Sequence, residues 1–181
     1  MDEVTAIRRI KMGDFGGLEY LMSLYQVKAA RAAFLITCDK AKAEDVVQEV
    51  FLRIFQRPGS FDENRPFEPY LMRSVVNAAL NASRGEKRFI SLEANAETIE
   101  RLILQEASVE SQAEYSQLKS EILNALGQLP PRQRAAIVQR YYLDMSEKEM
   151  AFTLDTAPGT VKWLLNSARN ALRDLLKKER I

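Results

Sequence analysis

Apolar residues recur at helical spacing through most of the chain. Between residues 43 and 56, Val46, Val47, Val50, Phe51, Ile54 and Phe55 fall at i, i+1, i+4, i+5, i+8 and i+9, one stripe of a 3.6-residue period. The opposite stripe of that helix carries Asp45, Gln48, Glu49 and Leu52. The pattern predicts a second helix over 67–84, with Tyr70, Leu71, Val75, Ala78, Ala79 and Ala82 available for packing. Between the two lies RPGSFDENRPFEP, whose prolines, glycine and Asp/Asn content mark a loop. Upstream, Leu18, Leu21, Met22, Leu24 and Tyr25 predict one amphipathic helix and residues 29–37 another.

The C-terminal part reads the same way. A helix over 118–127 precedes LPPRQR, where Pro130 stops one helix and Pro131 suits the first turn of the next. Ala135, Ile137, Val138, Tyr141 and Tyr142 give that helix a buried side. Ser146 and Glu149 have the spacing of a capping box, opening a helix that runs to about Leu154. After the turn Asp155-Thr156-Ala157, Pro158 opens a last helix with Val161, Leu165, Ala168, Leu172 and Leu175 inward. No stretch alternates with period two, so the expected fold is all-α. A short helix, a tight turn and a longer helix form the helix-turn-helix pattern, which also fits two helices packed in a plain bundle. Outward on the last helix are Thr160, Lys162, Asn166, Arg169 and Asn170, side chains able to donate to phosphates and base edges. Trp163 shares that arc; packing is the first expectation for it, with a DNA or partner contact as the alternatives.

Composition narrows the chemistry. The 181 residues include no histidine, which removes His-dependent nucleophile triads and HExxH or His₃ metal sites. A single cysteine, Cys38, excludes an internal disulfide and is expected as a small buried hydrophobe. The N-terminus lacks the apolar run of a signal peptide, and a bilayer span needs about 20 apolar residues, so a soluble, cytoplasmic protein without membrane insertion is expected. The formal charge is only +1, but it is unevenly spread. Residues 91–117 hold Glu93, Glu97, Glu100, Glu106, Glu110 and Glu114 against Arg101, between two mildly basic blocks. That stretch reads as an acidic linker between two small domains, 1–90 and 118–181.

Together these motifs resemble an extracytoplasmic-function (group IV) sigma factor of the sigma-70 family, the bacterial subunit that gives RNA polymerase its promoter specificity. AEDVVQEVF at 43–51 is similar to the core-binding helix of the family's region 2. SFDENRPF at 60–67, with Tyr70, Leu71 and Asn77, is similar to the segment that handles the −10 element. LPPRQR at 129–134, RYY at 140–142, SEKE at 146–149 and GTVK at 159–162 are similar to region 4.

The resemblance implies specific roles. Asp45, Gln48, Glu49 and Leu52 would bind core RNA polymerase; the plain alternative is a solvated helix face. Ser60, Phe61, Asn64 and Arg65 would belong to the pocket loop at 60–69, and Asn77 would read a flipped −10 base through its amide. Arg73, Arg84, Lys87 and Arg88 would grip phosphates. Thr160, Lys162, Trp163, Asn166 and Arg169 would meet the −35 duplex, with Arg134 and Arg140 as backbone contacts. The linker would follow a nucleic-acid-like path through the polymerase or act as a plain spacer. Promoter DNA and an anti-sigma factor are the other implied partners, with a monomer outside the holoenzyme, no cofactor, no metal and no catalysis.

The chain departs from the family pattern at Asp155, where glycine is usual, and at Ala157, Trp163, Leu164 and Ser167, while Tyr70 replaces a usual tryptophan. Fewer cations in the last helix imply a shallower salt dependence. Two rivals stand beside this reading. A stand-alone helix-turn-helix regulator would leave the 43–51 surface unexplained. A carboxylate enzyme built on Asp45, Glu49 or Glu147 and Glu149 would lack the Glu-x-x-His pairs that helical dimetal sites use.

Overall fold

The structure, a computed structural model, describes residues 1–84 and 112–178, and all regular elements among them are helical. Lys87, Arg88 and most of the predicted acidic linker lie outside the described residues. The N-terminal bundle comprises α1 (Glu3–Lys11), α2 (Phe15–Thr37), α3 (Lys40–Gln56), a 3₁₀ turn (Pro58–Ser60) and α4 (Phe67–Ala82). The C-terminal bundle comprises α5 (Gln112–Gln128), α6 (Pro131–Ile137), which continues as a π turn over Val138–Tyr142, then α7 (Glu147–Thr153) and α8 (Pro158–Lys178). Helix α5 therefore begins six residues inside the segment expected as linker.

Side-chain caps define the helix starts. Asp2, Asp14 and Asp39 accept from the amides of Thr5, Gly16 and Lys42, satisfying donors that the first turn leaves free. Where the pattern predicts two helices over 18–37, one continuous helix forms. Gly and Pro are absent between Leu18 and Thr37, and Ala29, Ala32 and Ala33 are strong helix formers that keep the helix running. Helix α2 packs against α1, α3 and α4. Leu18, Leu21, Phe34 and Ile36 are buried there, but Leu24 points outward, against the expectation that it packs inside.

Two glycines let α1 and α2 close onto each other. Gly13 has φ +78°, and the Gly13 and Asp14 amides return to the carbonyls of Ile10 and Arg9 at 2.9 Å each, a Schellman closure that needs a left-handed residue. A Cβ on Gly17 would lie 2.3 Å from the Ala6 carbonyl oxygen, so no larger residue fits between the two backbones. Glu3 then ties three helices together. Its carboxylate accepts from the Tyr25 hydroxyl and from the Phe67 amide. Burial, and then the Glu3 bond, push the Tyr25 phenol well above its ordinary range, so it stays a donor.

In the C-terminal bundle, Ser146 and Glu149 make the reciprocal capping box, with Glu149 N to Ser146 Oγ at 3.3 Å and Ser146 N to Glu149 Oε2 at 2.8 Å. Helix α7 ends in a second Schellman closure, the Thr156 amide reaching Ala151 O at 3.0 Å around Asp155 at φ +47°. This conformation is where glycine is favoured, and aspartate is among the few side chains that visit it. The π turn was not legible in the sequence. Its extra residue per turn rotates the register, so Tyr142 faces inward while Tyr141, expected inside, is exposed.

The two bundles share one buried apolar cluster. Helix α6 and the π turn lie on α2, and α6 and α7 touch α4.

Gly17→Ala should cost about 1–3 kcal/mol, because the nearest atom is backbone and the helices must part. Gly16→Ala should be near neutral, its closest neighbour being the movable end of Arg9. Asp155→Gly should stabilise by about 0.5–1 kcal/mol, once relief of left-handed strain is set against glycine's greater freedom in the unfolded chain. Thermal unfolding of the three variants checks all three signs.

Candidate functional site

Three polar surfaces collect the residues singled out in the sequence. The first is the outer face of α3. The inward stripe Val46, Val47, Val50, Phe51 and Ile54 is buried, which leaves Asp45, Gln48, Glu49 and Leu52 exposed together. Leu52 is half exposed, an apolar side chain set among polar ones. Glu49 pairs with Arg53 one turn on, an exposed pair that contributes little to stability.

The second surface is the loop before α4 together with one side of α4. Phe61, Phe67 and Tyr70 form an aromatic cluster: Phe61 meets Phe67 edge-on at 5.4 Å and Tyr70 at 4.9 Å. Phe61 is therefore buried and holds the loop from beneath; it is not presented as a contact residue, a correction to its expected role. The Ser60 and Tyr70 hydroxyls are 2.9 Å apart. Asp62 closes the loop by accepting from the Asn64 amide at 3.0 Å and side chain at 3.1 Å, bonds that hold its carboxyl below the usual range. Asn64 and Arg65 are exposed on the rim. On α4, Arg73 and Asn77 are half-buried and Arg84 is exposed past its end.

The third surface is α8. Val161, Leu164, Leu165 and Ala168 are buried at i, i+3, i+4 and i+7, which accounts for leucine at 164. Thr160, Lys162, Trp163, Asn166 and Arg169 lie on the open side. Trp163 is 62% exposed, so the packing expectation for it is overturned. Two residues after the buried Val161, it sits about 200° around the helix from it. Lys162 lies 3.8 Å from Glu147, and Arg169 donates to Asn166 Oδ1 at 2.9 Å, which sets its guanidinium along the open face.

The two remaining cations singled out in the C-terminal bundle behave differently. Arg140 is exposed and donates to Met145 O at 3.1 Å, bracing the loop before α7. Arg134 is only 6% exposed, its Nη1 2.5 Å from Cys38 Sγ on α2, so in this arrangement it reaches no external phosphate. Cys38 itself is half-buried at the left-handed end of α2, not a core residue. Burial pushes its thiol up, with Arg134 opposing.

Sequence reasoning missed Phe152. It is 66% exposed, and the Arg73 guanidinium lies 3.7 Å over its ring. An outward phenylalanine on a short helix gives no local signal of a partner on a distant helix.

Comparison with known proteins places these surfaces in a family. Family models for sigma-70 region 2 and sigma-70 region 4 match residues 21–89 and 119–172, together more than half of the chain. The chain is 28% identical to the ECF RNA polymerase sigma factor SigW of Bacillus subtilis, over 94% of its own length and 95% of that protein. It is 33% identical to the ECF RNA polymerase sigma factor SigL of Mycobacterium tuberculosis, over 87% of its length and 89% of the relative's. Among solved structures, the sigma factor RpoE in complex with the anti-sigma factor NepR from Bartonella quintana shares the fold, with a TM-score of 0.62 at 22% identity. That match covers 88% of this chain and 97% of the other.

Proposed function

The chain belongs to the sigma-70 family, in its extracytoplasmic-function branch, and from that premise we propose how its three surfaces divide the work of an alternative sigma factor directing transcription initiation. The observation that carries the assignment is the ordered match to regions 2 and 4, with the polar stripe of α3 left free of the chain's own core.

Asp45, Gln48, Glu49 and Leu52 dock on core RNA polymerase. The rim of Ser60, Asn64 and Arg65, with Arg73, Asn77, Arg84, Lys87 and Arg88, engages the −10 strand. Asn77 pairs with a base edge and the cations hold phosphates. Phe61 supports the loop and leaves base contact to the exposed rim. Thr160, Lys162, Trp163, Asn166 and Arg169 enter the major groove of the −35 element, the geometry of a recognition helix. Arg140 steadies the helix-turn-helix from behind. Trp163 gives that helix an apolar surface suited to a thymine methyl.

RNA synthesis belongs to the polymerase; this chain contributes binding energy and position. It works where the polymerase and chromosome are, in the cytoplasm, and among the described residues no helix is long and apolar enough to cross a membrane. An anti-sigma factor, as in the RpoE complex, is its natural regulator. The region 2 match, which a stand-alone regulator does not need, sets the sigma reading ahead of that rival.

Gel filtration with bacterial core RNA polymerase tests the main interface. The wild-type chain should co-elute. The double variant Asp45→Arg/Glu49→Arg should bind about tenfold more weakly or worse while keeping its helical circular dichroism. Wild-type protein that stays free would overturn the assignment. In the holoenzyme on duplex promoter DNA, Lys162→Ala and Arg169→Ala should each flatten the slope of log affinity against log salt by about 0.9. Unchanged slopes would remove those residues from the phosphate contacts.

A further inference from the structure

Two cations on the open side of α8 are already engaged by the chain itself. Lys162 Nζ lies 3.8 Å from Glu147 Oε2, on the first turn of α7, with the two side chains 65% and 44% exposed. Arg169 is held along its own helix, donating from Nε to Leu165 O at 3.2 Å and from Nη2 to Asn166 Oδ1 at 2.9 Å. Glu149, the other acid of the α7 first turn, is taken up by the capping box, where it accepts from the Ser146 amide at 2.8 Å and hydroxyl at 2.6 Å. Glu147 is left as the first-turn carboxylate that meets α8.

Closures at both ends of α7 place that carboxylate. The capping box sets the backbone at the start of the helix, and the turn around Asp155 sets the angle at which α8 follows. Met150, Ala151, Val161 and Leu165, buried in one apolar cluster, hold the two helices together without help from the pair. An exposed ion pair contributes little to stability, so the effect of this one lies in the charge it presents. In a helix-turn-helix the second helix enters the major groove while the first crosses the backbone. A carboxylate on the first turn of α7, reaching toward α8, therefore competes with duplex phosphates for Lys162. Binding to duplex without base contacts is electrostatic and grows with the number of phosphates neutralised. A lysine whose ammonium faces a carboxylate adds less to that number until the pair separates.

We propose that Glu147 is a positioning residue for −35 selectivity: it holds Lys162 back from the backbone of random duplex, and Lys162 turns to phosphate only where base contacts offset the loss of the pair. The inference rests on the assignment of α8 to the −35 element. Selectivity follows because the cost of separating the pair falls on every duplex alike, while sequences that offer no base contacts have nothing to set against it. The free chain is thereby kept off the bulk of the chromosome.

Titration of the full chain, without polymerase, against a fluorescent random-sequence DNA duplex over a range of salt concentrations tests this. Glu147→Gln keeps the shape of the side chain and removes its charge. It should bind the duplex several-fold more tightly than wild type at low salt and steepen the slope of log affinity against log salt by up to about 0.9, the share of one phosphate contact. Glu147→Gln/Lys162→Ala should lose both gains, and all variants should keep the helical circular dichroism of wild type. A misfolded variant does not gain salt-dependent binding that requires Lys162. Equal affinity and slope for Glu147→Gln and wild type overturn the proposal. A gain that survives in the double variant also overturns it, since Glu147 would then act on the duplex directly and not through Lys162. Lys162→Ala in the holoenzyme on promoter duplex tests the −35 assignment separately: an unchanged slope there removes Lys162 from that contact, whatever Glu147 does in the free chain.

Discussion

Helix α2 has to be covered on several sides, and the rest of the molecule is arranged around that need. Its apolar residues do not form one stripe, so no single partner helix could bury them. Helices α1, α3 and α4 take up most of its circumference, and α6 with the π turn takes part of what remains. Close approach is possible because α2 presents small residues at the contacts: Gly17 under α1, and the buried Ala29, Ala32 and Ala33 further along. With α2 so placed, α3 must turn its valine and phenylalanine stripe inward and its acidic stripe outward. The polymerase-facing surface proposed for this chain is the remainder left by that packing.

The same division of faces explains α8. A stripe of four buried residues holds it to α5, α6 and α7, and everything opposite is free to meet a groove. The turn before it is shaped by backbone closure around Asp155, which accepts a left-handed conformation without glycine. Departure from the family's usual residue at that point leaves the geometry of the helix-turn-helix intact.

The side proposed to engage the −10 strand differs from both of these because its residues are not simply solvated. The loop is built on an aromatic cluster and an Asp62 turn, which give it a defined shape before any strand arrives. Arg73 is then met by the Phe152 ring of the second bundle. Between the bundles, Arg134 meets the Cys38 thiol while its Nε is buried without a hydrogen-bond partner.

Much of this was legible in the sequence. The α3 stripe, the pair Pro130 and Pro131, the capping box at Ser146 and the inward face of α8 each depend on residues within four positions of one another, and local spacing reports such interactions directly. Motif order was enough to reach the family. What spacing could not report was decided by packing between distant segments. It could not tell that 18–37 is one helix, that a π turn sends Tyr141 outward, or that Trp163 is left bare and Phe61 enclosed. The contact between Cys38 and Arg134 joins residues 96 positions apart. No periodicity encodes a pair of that kind, because it exists only once two separately formed helices have chosen which faces to bury against each other.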